Sequence, residues 1–185
     1  MQQRHRLVFS GSGGQGVITA AIVLAESAVL HEKLIAVQSQ SYGPEARGGA
    51  TRSDIIIDHN EILYPKVTQP NILVCLTQEA YTKYFSIIRP GGTLLTDSKF
   101  VKPHKKVDAK QIELPMYQSV MDTIGKPIVY NICMLGVILC FLNIIRPESV
   151  MNVLETRIPS DFLSMNHKAL ELGLTLGAPY RNNEQ

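Results

Sequence analysis

The 185-residue chain has no tryptophan, 6% aromatic residues and only 18% charged ones. Its 18 Lys and Arg against 16 Asp and Glu leave +2, so no overall basic field points to nucleic acid or to an anionic membrane. Any anion site must therefore be local. The three cysteines, Cys75, Cys133 and Cys140, are odd in number and lack CxxC spacing, which supports neither a disulfide framework nor a self-contained zinc or iron–sulfur site. His5, His31, His59, His104 and His167 are dispersed without metal-ligand spacing, and no Ser/His/Asp or Cys/His arrangement can be nominated. The N-terminus runs from Met1 through Arg6 straight into a strand-like segment without the apolar stretch of a signal peptide, so a cytoplasmic location is expected.

What is present is apolar: 45% of the residues are hydrophobic, enough to fill the core of one ordinary domain. A single domain over residues 1–185 is expected, with a core at about 6–176 and a tail at 177–185. Pro127 to Ile145 lies uncharged between Lys126 and Arg146 and approaches the length of a membrane span. Pro127, Asn131 and Asn143 inside it favour a helix buried in a core or interface instead.

The order of signals predicts an α/β fold of three layers, α/β/α, with a mostly parallel sheet and a helical C-terminal third. Leu7 to Ser10 reads as a strand, Val17 to Leu30 as a helix and Leu34 to Val37 as a second strand, a Rossmann-like βαβ unit. Asp54 to Asp58, Ile72 to Thr77 and Thr93 to Asp97 are further strands, with a helix over Gln78 to Ile88. The lysine-rich stretch Lys99 to Lys110 reads as a solvated surface connection. Helices are expected over Asn131 to Ile145, Glu148 to Thr156 and Asp161 to Leu176, with Pro147 and Pro159 separating them.

Two segments could carry recognition. Gly11-Ser12-Gly13-Gly14-Gln15-Gly16 is a G-x-G-x-x-G placed after a strand and before a helix, where backbone amides and the helix dipole can receive an anion. The second strand, however, ends Val37-Gln38-Ser39-Gln40 without the carboxylate that a dinucleotide ribose requires, which argues against an independent dehydrogenase. The glycines serve either close backbone packing or an anion from a substrate or partner. The second segment is the polar loop with Tyr42, Gly43, Glu45, Arg47, Gly48, Gly49 and Arg52, whose side chains suit specific polar contacts. Both belong at the carboxyl edge of the sheet, where ligands meet open α/β folds.

These two segments, with Gln78-Glu79-Ala80, Pro90-Gly91-Gly92, Leu135-Gly136 and Asn166-x-Lys168-Ala169-Leu170-Glu171-x-Gly173, resemble the gamma subunits of 2-oxoacid:ferredoxin oxidoreductases, and among them those of the 2-oxoglutarate enzymes. The resemblance runs from about residue 6 to 176. It implies an accessory subunit of a complex that decarboxylates a 2-oxoacid, joins the acyl group to coenzyme A and reduces ferredoxin or another acceptor. It implies alpha and beta subunits as partners, with a delta subunit as a further option, and places thiamine diphosphate, Mg and iron–sulfur clusters on those partners, with no cofactor bound by this chain alone. No catalytic residue is carried over; Gly11, Gly13, Gly14, Gln15, Gly16 and the loop would face the partners or the coenzyme A path. A free-standing nucleotide- or coenzyme A-binding module is the alternative reading.

Overall fold

The computed structural model describes residues 4–40 and 50–181. Its strands are β1 (His5–Gly11), β2 (Ile35–Gln40), β3 (Thr51–Asp58), β4 (Ile72–Cys75), β5 (Gly92–Asp97) and β6 (Ala109–Leu114). They form one sheet in the order β2-β3-β1-β4-β5-β6. The parallel pairs β1–β4, β4–β5 and β5–β6 make up one half. In the other half β3 runs antiparallel to both β1 and β2, so β1 and β2 are parallel in direction but separated by β3. The expected βαβ unit is thus split: β3 has slipped into the gap that α1 (Val17–His31) spans.

Side chains alternate across the pleat and divide the interior in two. Leu7, Phe9, Ile55, Ile57, Ile72, Val74 and Leu95 face α1, α3 (Met116–Thr123), α4 (Tyr130–Leu139), α5 (Pro147–Arg157) and α6 (Ser160–Gly177). Val8, Ile56, Leu73, Cys75 and Leu94 face α2 (Gln78–Tyr84), with Val67 and Val101 from the flanking connections. Helices therefore cover both faces, but very unequally.

Helix α4 is apolar on every side, and each of its ten residues is buried. Its closest neighbour is α6, reached through glycines. A Cβ on Gly136 would stand 2.9 Å from the Gly173 Cα, and one on Gly173 equally close to the Gly136 Cα. Backbone thus packs on backbone where the helices cross. Helix α4 ends at Leu139, six residues before the expected Ile145, and the chain turns through Cys140 to Arg146. Among the described residues no helix is long and apolar enough to cross a membrane. Pro147 opens α5 and Pro159 directly precedes α6.

Strand β6 and helix α3 had no counterpart in the sequence reading, which ended the strands at Asp97. Three of the six β6 residues are exposed, and only Ile112 and Leu114 are buried, so its apolar alternation is short. The lysine-rich connection before it is pinned: Tyr81 Oη accepts from Lys105 N at 3.0 Å and from His104 N at 3.3 Å. Across the other face, Glu32 at the end of α1 accepts from Arg146 N (2.9 Å) and Ser149 Oγ (2.6 Å) at the start of α5. Burial alone would raise the Glu32 pKa; the bonds from Ser149 and Arg146 outweigh it and hold the carboxyl below its usual value.

Candidate functional site

Between β1 and α1 the chain turns through the glycines. Gly14 and Gly16 take φ of 87° and 70°, the left-handed region that favours residues without a Cβ. At Gly16 a Cβ would also lie 2.6 Å from Asn131 Nδ2, so the turn rests directly against α4. Gln15 folds inward: its Oε1 accepts from Ser12 N at 2.8 Å and its Nε2 donates to Leu76 O at 3.4 Å. Its amide braces the turn on the end of β4 and does not reach outward. Gly11 is buried beneath that side chain, whereas Ser12, Gly13 and Gly14 are exposed. Helix α1 has no side-chain N-cap and no acidic residue in its first turn, so its positive dipole end is uncompensated at the turn.

A groove of about 490 Å³ opens beside this turn, between α1, α4, α5 and α6. Gly14, Gly16 and Thr19 form one end; Ile128 and Phe162, 73% and 48% exposed, stand along it. Asn131 is 7% exposed and donates Nδ2 to Gly16 O at 3.4 Å, while its Oδ1 has no hydrogen-bond partner among the described residues. The groove is apolar with a polar end, the usual make-up of a recognition site.

The register brings the second segment to the same edge. Gly11 pairs with Thr51, Ser10 with Arg52, and Gln40 with Ser53. Both ends of the loop therefore meet the sheet beside the glycine turn. Tyr42, Gly43, Glu45, Arg47, Gly48 and Gly49 lie outside the described residues. Arg52 belongs to β3, and its guanidinium is engaged within the α2 face. It donates to Asp54 Oδ1 (2.6 Å), Asp54 Oδ2 (3.1 Å) and Val67 O (2.5 Å), and stacks 5.3 Å from the Tyr84 ring. Arg52, expected among the recognition residues, thus serves the scaffold.

Asp97, fully buried at the carboxyl end of β5, escaped the sequence reading. It accepts from Lys99 N (2.9 Å), Tyr117 N (2.8 Å) and Tyr130 Oη (2.8 Å), joining β5 to α3 and α4. Burial, reinforced by the Asp97 charge, pushes the Tyr130 phenol far above its usual range. This hub was hidden because its partners lie 20 and 33 residues along the chain. Cys75, Cys133 and Cys140 are buried and free; burial, with Asp97 adding to it, pushes Cys133 up to about 12. Among the described residues no group of three or more His, Cys, Asp or Glu could hold a metal. They fit neither an iron–sulfur cluster nor the Mg of a bound diphosphate.

The fold recurs in known proteins. The chain is 40% identical over 175 residues to the 2-oxoglutarate synthase subunit KorC of Methanocaldococcus jannaschii, covering 94% of each. The crystal structure of a keto/oxoacid ferredoxin oxidoreductase gamma subunit from Geobacter sulfurreducens superposes with a TM-score of 0.85 at 34% identity, over 95% of this chain and 99% of that one. A 2-oxoglutarate:ferredoxin oxidoreductase from Magnetococcus marinus, solved with 2-oxoglutarate, coenzyme A and succinyl-CoA, shares the fold at a TM-score of 0.85 and 19% identity. There the match covers 97% of this chain but 32% of that one, so the same fold also occurs inside a larger polypeptide. Residues 6–176 match the pyruvate ferredoxin/flavodoxin oxidoreductase family across the sheet and all six helices, and the chain belongs to that family.

Proposed function

We propose that this chain is the gamma-type subunit of a 2-oxoglutarate:ferredoxin oxidoreductase, a complex that converts 2-oxoglutarate and coenzyme A to succinyl-CoA and CO2 while reducing ferredoxin or a similar acceptor. The observation that carries the reading is the 40% identity to a 2-oxoglutarate synthase subunit over almost the whole of both chains. In this reading the domain is cytoplasmic and accessory. Alpha and beta subunits, with or without a delta subunit, bear the thiamine diphosphate, Mg and iron–sulfur clusters.

The part this chain plays is to close one side of its partners' site. The exposed Gly13 and Gly14, the uncompensated start of α1 and the adjoining groove support the turn as the recognition surface. Gly11, Gln15 and Gly16 shape it from behind, and Arg52 anchors the start of β3; Tyr42, Gly43, Glu45, Arg47, Gly48 and Gly49 are proposed to contribute to recognition on their sequence alone. The incoming group is an anion such as a coenzyme A phosphate, or backbone and side chains of a partner subunit.

Co-purification of the tagged chain from its native cell, followed by assay of coenzyme A-dependent acceptor reduction, tests this. Thiamine-bearing partners and preferential turnover of 2-oxoglutarate over pyruvate are expected. Isolation of the chain alone, or a complex indifferent to 2-oxoglutarate, overturns the proposal. Gly13→Ala sharpens it: a Cβ there meets nothing within 4 Å and φ is not in the left-handed region, so stability should not change. Loss of assembly or turnover in that variant assigns the turn to recognition.

A further inference from the structure

The sheet edge opposite the glycine turn carries a second polar cleft. Arg6, Thr68, Gln69, Arg89 and Pro90 line a cavity of about 490 Å³. Arg6 lies at the start of β1, Thr68 and Gln69 precede β4, and Arg89 and Pro90 precede β5. These three strands are parallel neighbours, so topology alone gathers the five residues at one edge.

The cleft is held by backbone. Arg6 N donates to Asn71 Oδ1 at 2.8 Å, and Asn71 N returns a bond to Arg6 O at 2.7 Å. Arg89 N donates to Pro70 O at 3.1 Å, while Thr93 N donates to Asn71 O at 2.8 Å. The Pro70-Asn71 turn thus fixes the segments that bear both arginines. Arg6 and Arg89 are each half-buried, yet neither guanidinium has an ion pair or a hydrogen bond to another described residue. Arg4, Arg52, Arg146 and Arg157, by contrast, each face a carboxylate. Asp108, whose backbone carbonyl accepts from Gly91 N at 2.8 Å, is exposed and does not line the cleft.

We propose that this cleft binds the phosphate group of a small phosphorylated molecule, between the Arg6 and Arg89 guanidiniums. Both cations line one cavity without a partner among the described residues, and a dianion between them would be attracted by both. Guanidinium forks match the oxygens of a phosphate, and the Thr68 hydroxyl and Gln69 amide add neutral donors. The volume falls within the range of roughly 300–1,000 Å³ typical of small-molecule sites, larger than a bare phosphate needs. The proposal is independent of the partner-facing role of the glycine turn, which lies at the other end of the same strands.

Titration calorimetry of the full chain at low salt, with inorganic phosphate and with ribose 5-phosphate as probes, tests it. Saturable one-to-one binding is expected, weakened about tenfold or more by Arg6→Gln and by Arg89→Gln separately, and weakened by salt. Tighter binding of ribose 5-phosphate shows that the cleft also holds the organic part, whereas equal binding makes inorganic phosphate itself the ligand. Because neither guanidinium supports the fold, both variants should melt no lower than the parent chain without ligand, and phosphate should raise the melting temperature of the parent alone. No saturable binding, binding that survives both substitutions, or binding lost in Gly13→Ala with the arginines intact would overturn it.

Discussion

The two faces of the sheet are sealed to different depths. Five helices, the fully buried α4 among them, cover one; α2, seven residues long, and the connections around Val67 and Val101 cover the other. On the thick side, specificity comes from backbone contact at glycines and from the buried Asp97 hub. On the thin side it comes from polar side chains that tie connections down, Arg52 to Asp54 and Val67, and Tyr81 to His104 and Lys105. A face with enough apolar area can rely on close packing, while a thinly covered one depends on directed hydrogen bonds.

Substitutions that put these two modes in competition give graded outcomes. Gly173→Val should be the most damaging, since even a Cβ meets the Gly136 Cα at 2.9 Å and the α4–α6 crossing must open; a loss of about 3 kcal/mol or more is expected from the urea midpoint. Asp97→Ala comes next, at about 2–3 kcal/mol by the same measurement, because the Tyr117 amide and the Tyr130 hydroxyl would be left buried without an acceptor. Arg52→Ala tests the thin face: about 1–2 kcal/mol should be lost, with faster proteolysis around Val67 rather than global unfolding. A loss from Arg52→Ala as large as that from Gly173→Val would reverse the proposed contrast.

The smallest effect concerns acid. The Arg4 guanidinium beside Asp58 holds that carboxyl at about 2, helped by the Asn60 amide. A carboxyl depressed in the folded state contributes stability above its unfolded value of about 3.9 and loses it as pH falls toward 2. Arg4→Ala should therefore flatten the pH dependence of the urea midpoint in that window and cost less than about 1 kcal/mol at neutral pH, since Arg4 is partly solvent-screened.

Much of this architecture was legible because it was written locally. Leu7 to Ser10 and Ile72 to Thr77 are largely apolar runs, the second ending as a strand at Cys75, Thr93 to Asp97 follows the Pro90-Gly91-Gly92 turn, and Pro147 and Pro159 divide the C-terminal helices where the sequence says they should. Strand β6 was not legible, because an edge strand with four of six residues not buried has little hydrophobic period to read. The insertion of β3 between β1 and β2 was equally hidden: pairing order depends on long-range contact, and Ile35 to Gln40 reads alike beside either neighbour. At the site, the glycine turn was visible as a motif, but the inward fold of Gln15 and the nearness of Asn131, 115 residues from Gly16, were not. Arg52 reads as a recognition group because a sequence shows the charges of Arg52 and Asp54 but not that the two side chains pair on one face of β3.

The burial of α4 on all sides has a consequence for motion. A helix with no solvent-facing stripe cannot fray or swing away without dismantling its neighbours, so its amide protons should exchange with deuterium only when the whole molecule opens. The amides of α2 should exchange through local openings long before that. The glycine turn stands on α4 through Asn131 and Gly16, and so inherits the slow clock of the centre although Gly13 and Gly14 are at the surface.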